Sequence, residues 1–145
     1  MLSDHFTLDE FTASQTATRQ GIKNTPSTAV VENLRMLAAL LEQVRTLLGS
    51  HSIHISSGYR CLALNRHIGS NDTSAHVRGY AADFTCPAFG TPLEVAKEIA
   101  ESNLKFDQLI YEGTWVHISC DPQNRRQLLT ARFEHGHTYY TTGIT

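Results

Sequence analysis

No disulfide framework can be read from this chain, because its three cysteines, Cys61, Cys86 and Cys120, are odd in number and far apart. Lacking any C-x-x-C pair, they make no thiolate zinc site, and small packed thiols are the expectation. A surplus of charge is also missing: 12 basic and 14 acidic residues leave a formal net charge of -2, and Lys and Arg form no tract able to follow a phosphate backbone. Nucleic acid is thereby excluded as an expected partner. No run approaches the ~20 apolar residues of a membrane span, so membrane insertion is not expected. The opening Met1-Leu2-Ser3-Asp4-His5-Phe6 lacks the basic start and apolar stretch of a secretory signal. That predicts synthesis in the cytoplasm without a signal peptide.

What is present fits one body. A length of 145 residues can bury a sizeable core without disulfides or partners, so residues 1–145 are expected to form a single, monomeric domain. Residues 3–24 are polar, with Phe6, Leu8 and Phe11 spaced for one short helical turn. They read as part of an N-terminal arm covering 1–24. Pro26 suits a first helical turn, and Val30, Leu34, Leu37, Leu41, Val44 and Leu48 recur at three- and four-residue steps until Gly49 stops them. Ile53 and Ile55 alternate with polar neighbours ahead of Gly58, as in a half-buried strand, and residues 61–68 suit a short helix. Thr91-Pro92-Leu93-Glu94 carries a capping box and a first-turn proline, predicting a helix to about Asn103. Phe106 to Glu112 and Thr114 to Cys120 read as an antiparallel hairpin, and the segment from about Gln123 onward matches no single pattern. This order is not the regular alternation of a parallel sheet. It predicts an α+β fold with a small antiparallel sheet packed against helices.

Histidine is abundant, at eight residues, so position must separate ligands from surface residues. His76 sits in Ser74-Ala75-His76-Val77-Arg78-Gly79-Tyr80-Ala81-Ala82-Asp83, emerging from a loop of Gly, Ser, Asn and Asp. Gly79 allows a close backbone approach, and Ala81 and Ala82 leave room around Asp83, a carboxylate in an otherwise apolar strand. His117 lies between Val116 and Ile118, so it points away from those aliphatic side chains, together with Trp115 and Ser119. Two imidazoles and a carboxylate suit a single Zn2+ ion with an open fourth position for water. Taken alone, His117 also reads as a hydrogen-bonded strand histidine.

Hairpin parity adds a proton carrier. With a two-residue turn at Gly113, residues whose numbers sum to an odd value share a face, placing Gln108, Ile110 and Glu112 with His117 and Trp115. Glu112 can therefore act as general base and then general acid, its plainer reading being a solvated turn residue. Trp115 becomes a candidate substrate contact. Arg60, in Ser57-Gly58-Tyr59-Arg60, offers a planar fork for a peptide carboxylate or a polarised carbonyl.

Together, Ser57-Gly58-Tyr59-Arg60, Asn65, Ser74-x-His76, Gly79, Asp83 and Trp115-x-His117 resemble the zinc D-alanyl-D-alanine carboxypeptidase family, especially its short phage-associated and bacterial peptidoglycan-peptidase branch. The likeness runs from Phe6-Thr7-Leu8-Asp9-Glu10-Phe11 to about residue 120. It implies the small α+β fold shared with the hedgehog signalling domain and a zinc held by His76, Asp83 and His117. It further implies a metallopeptidase cleaving amide bonds of peptidoglycan stem peptides or cross-links, as a carboxypeptidase or an endolysin-like endopeptidase, in the periplasm or cell wall. Arg60 is then implied to bind or polarise substrate, and Ser74 to lie near it. Many members place the catalytic acid two or three residues before the last histidine, where this chain has Trp115 and Thr114. Glu112 is the nearest carboxylate, with Asp107 in reserve although parity turns it away from His117. This departure keeps a second reading in view, a zinc-containing cell-wall-binding or phage structural module without turnover, and a third is a zinc amidohydrolase of another substrate.

Overall fold

In the computed structural model, which describes residues 1–145, Thr7 and Glu10 close a reciprocal capping box that starts helix α1 (Leu8–Thr12). Ser14 caps α2 (Gln15–Gln20), and Gly21, at φ 66°, ends it in the left-handed region. The first segment thus holds two short helices rather than one turn. Ser27 caps α3 (Thr28–Leu47), whose Leu34, Leu37, Ala38, Leu41 and Val44 form one buried stripe. Pro26 therefore lies outside the helix instead of in its first turn. The Ser27 hydroxyl accepts the Val30 N–H at 3.3 Å, and an extended backbone there starts the helix one residue later.

After β1 (His54–Ser57) come α4 (Leu62–His67), a 3-10 turn (Ala75–Arg78), β2 (Ala81–Thr85) and α5 (Pro92–Ala100). The expected capping box starts α5, with Pro92 in its first turn. It stops before Asn103, where the Ser102 hydroxyl donates to the Ile99 carbonyl at 2.6 Å. No helix is long and apolar enough to cross a membrane. All three cysteines are free thiols, Cys86 buried and the others partly so.

Strands β3 (Gln108–Tyr111) and β4 (Val116–Ser119) form the antiparallel hairpin, and the tail adds β5 (Gln127–Glu134) and β6 (His137–Thr142). The result is an α+β fold with a six-stranded sheet in the order β1-β2-β4-β3-β5-β6. It is mixed rather than wholly antiparallel, since β5 runs parallel to β3. The chain leaves β4 beside the start of β3, crosses that end, and enters β5 with the Gln127 N–H on the Asp107 carbonyl at 2.9 Å. Ala82, Phe84, Leu109, Val116 and Ile118 join α3 and α5 in the core. By alternation Asp83, Ile110 and His117 point from the opposite face.

Two close contacts fasten the edges. A Cβ on Gly58 would lie 2.6 Å from the Phe11 carbonyl oxygen, so glycine is what lets α1 seat against the end of β1. At the other end, Asp107 accepts from the Arg125 backbone at 3.1 Å and from its Nε and Nη2 at 2.9 and 2.8 Å. These bonds hold the Asp107 carboxyl below its ordinary pKa. A depressed carboxyl pKa contributes stability that is complete above the unfolded value of about 3.9 and disappears as pH falls through the folded value. Asp107→Asn is therefore expected to cost about 1 kcal/mol near neutral pH. The difference in urea midpoint from the parent should shrink as acid titrates the wild-type carboxylate; a pH-independent difference would remove the ion pair as its cause.

Candidate metal centre

Strand register decides which polar side chains meet. Asp83 on β2 pairs with His117 on β4, and His117 pairs with Ile110 on β3. The 3-10 turn delivers His76 from above, and Ser74 caps that turn by accepting the His76 N–H at 3.3 Å. Gly79 ends the turn at φ 77°, in a position where a Cβ would lie 2.9 Å from Val30 Cγ1 on α3. A larger residue there would lift the turn from the helix.

The donors converge. Asp83 Oδ1 lies 3.3 Å from His76 Nε2 and 3.0 Å from His117 Nδ1. One ligand atom from each of His76, Asp83 and His117 fits within 4.8 Å of the others. His76 Nδ1 sits 2.7 Å from the Gly58 carbonyl oxygen, which can only accept, so Nδ1 carries the proton and donates it. Neutral His76 then aims its Nε2 lone pair at a carboxylate oxygen. Burial pushes the His76 pKa down, against the pull of Asp83, so a second proton is disfavoured. Burial likewise opposes ionisation of Asp83, but the hydrogen bond with His117 outweighs it and holds the carboxyl far below the usual range. A cation between the imidazole lone pair and the carboxylate resolves the conflict, and this donor set fits zinc. On the far side of the ring, His117 Nε2 is buried without a hydrogen-bond partner.

A model of the family described as Peptidase M15 matches residues 4–119. The chain belongs to the peptidase M15 family. No curated protein matches it. M15 membership makes the chain a member of a zinc-dependent peptidase family, and the buried His-Asp-His group is what its fold offers a metal.

In this M15 member, the three metal candidates line one cavity of about 350 Å³ together with Arg60, Ser74, Glu112 and Trp115. Asn65, fully buried on α4, accepts Arg60 Nε at 3.0 Å, while Ser57 and Ser74 hydroxyls accept Nη1 and Nη2 at 3.3 and 3.4 Å. The Arg60 backbone N–H also donates to the His76 carbonyl at 3.1 Å, tying the cation to the turn that carries this histidine. Burial lowers the Arg60 pKa and Asp83 opposes that shift. Glu112 directly follows β3, its N–H donating to the Trp115 carbonyl at 3.0 Å across a two-residue Gly113-Thr114 turn. Burial raises its carboxyl pKa, with His117 lowering it and Asp83 raising it. Asp107, by contrast, is engaged by Arg125.

Sequence reasoning missed Ile68 and Tyr140 in the same cavity. Ile68 comes from the helix end after α4, and Tyr140 from a strand with no alternating signal. A larger cleft, about 940 Å³, lies between α2 and β1 and meets the metal cavity at Arg60 and Ile68. The chemistry-bearing groups lie in the smaller one. His76→Ala is expected to abolish zinc retention after dialysis, measured by elemental analysis; unchanged stoichiometry would remove His76 from the ligand set.

Proposed function

We propose that this protein is a zinc-dependent peptidase hydrolysing amide bonds in peptidoglycan stem peptides or cross-links, working as a single monomeric domain in the periplasm or cell wall. The observation that carries this reading is one cavity in an M15 chain that brings a buried His-Asp-His cluster together with Glu112 and Arg60. His76 through Nε2, Asp83 through its carboxylate and His117 through Nδ1 would hold the ion. Zinc bound there lowers the pKa of a coordinated water toward ~7 and polarises the carbonyl under attack.

The remaining chemistry falls to side chains. Glu112 shares the sheet face of His117 and takes the proton of the attacking water. Its raised carboxyl pKa favours keeping that proton until the leaving amine needs it. The Arg60 fork, fixed by Asn65, Ser57 and Ser74, faces charge developing on the substrate oxygen or holds a terminal carboxylate. Ser74 thus serves twice, capping the ligand turn and steadying the cation.

Purified peptidoglycan incubated with the zinc-loaded protein should release new amino termini, and mass spectrometry of the released muropeptides identifies the bond. Glu112→Gln should retain zinc yet lose roughly 10²–10⁴-fold in rate, the scale of general acid–base catalysis. Equal release by both proteins excludes Glu112 as the base. No release by either, with zinc retained, favours the non-hydrolytic wall-binding module.

A further inference from the structure

Tyr140 lies beyond the residues that the family model matches, yet its side chain lines the metal cavity. Sheet register explains how. Tyr140 pairs with Ala131, while Thr130 pairs with Tyr111, so carrying the parallel register one residue further sets Glu112 beside Ala131. Glu112, Ala131 and Tyr140 form one row on the face that also presents His117 and Asp83. Ala131 is small and buried, which leaves the space over it for the tyrosine ring to reach toward Glu112.

The electrostatics agree with that placement. Burial raises the Tyr140 pKa, and the negative charges of Glu112 and Asp83 raise it further. The phenol is accordingly a neutral O–H donor near neutral pH. No hydrogen bond within the protein contributes to that shift, and the ring is half-exposed. Strand order adds direction: Arg60 follows β1 at one edge of the sheet, Tyr140 stands on β6 at the other, and the metal candidates on β2 and β4 lie between.

We infer that Tyr140 is a substrate-contacting residue of this site, closing the flank opposite Arg60 and holding the peptide beyond the scissile bond with its ring face and a phenol hydrogen bond to a substrate carbonyl. The C-terminal hairpin is then a specificity element added to the M15 region. This role rests on the peptidase reading proposed above, and it assigns to one hairpin side chain the contact that lets a substrate extend past both sides of the cut.

The test compares the full-length zinc-loaded parent with Tyr140→Phe, Tyr140→Ala and, as a control, Tyr139→Ala. Tyr139 is also partly exposed but points to the other sheet face. Trp115 is the only tryptophan and lines the cavity, so its fluorescence reports binding of a purified stem peptide in a Glu112→Gln background, independently of turnover. Tyr140→Ala should raise both Kd and KM about tenfold, as for loss of one aromatic contact, with zinc content and Tm unchanged. Tyr140→Phe should fall between it and the parent, separating the ring from the O–H. Parental Kd and KM in Tyr140→Ala, or an equal loss in Tyr139→Ala, would overturn the inference while leaving hydrolysis by the parent intact. A parent that releases no amino termini but binds peptide more tightly than Tyr140→Ala overturns the peptidase reading and keeps the contact. Absence of any Trp115 response to the peptide in Glu112→Gln with Tyr140 intact overturns the contact.

Discussion

A carboxylate buried on a sheet face must be paired or coordinated, and the surroundings of Asp83 are built to meet that requirement. Both imidazoles approach the same oxygen, Oδ1, from different elements, one from β4 and one from the 3-10 turn. Hydrogen bonding alone serves this geometry badly, because the His76 proton is committed to the Gly58 carbonyl. Metal coordination turns the same geometry into an advantage: three donors already lie together, and protonation of His76 is opposed by burial. The carbonyl that fixes its tautomer is the kind of outer partner that orients a metal-bound imidazole.

That arrangement is held from both ends of the chain. Near the start, α1 seats on Gly58, and the Tyr59 N–H donates to the Phe11 carbonyl, so the same short turn meets the N-terminal segment on one side and His76 on the other. Near the end, Asp107 captures Arg125 and steers the chain across the start of β3, which places β5 parallel to it. The hairpin that follows brings Tyr140 to the cavity. Packing far from the His-Asp-His group therefore sets two sides of the cavity, one lined by Arg60 and one by Tyr140 of the C-terminal hairpin.

Legibility in the sequence followed the strength of local signals. The stripe Leu34, Leu37, Leu41, Val44 carried α3, and Thr91-Pro92-Leu93-Glu94 carried the start of α5, because each is encoded within a few residues of itself. Hairpin parity placed Glu112 on the face of His117, since alternation and a two-residue turn are local too. Pro26 misled because a cap one residue later outweighed it. The tail could not be read: His137-Thr138-Tyr139-Tyr140-Thr141-Thr142 has no apolar alternation, being an edge strand exposed along most of its length. Its strand state depends on pairing with β5, and the place of β5 depends on Asp107 meeting Arg125.

By itself the sequence determined the kind of chemistry available: two histidines, an aspartate in an apolar strand, a cation after a tight turn and a glutamate on the right hairpin face. Those are matters of residue type and short-range periodicity, which the local chain dictates. Tertiary structure alone decided which nitrogen of each imidazole faces the carboxylate, how Asn65 and Ser74 hold Arg60, and that Tyr140 lines the same cavity. Each of these depends on contact between segments well separated along the chain, and such contacts exist only once sheet register and the packing of turns against it are set.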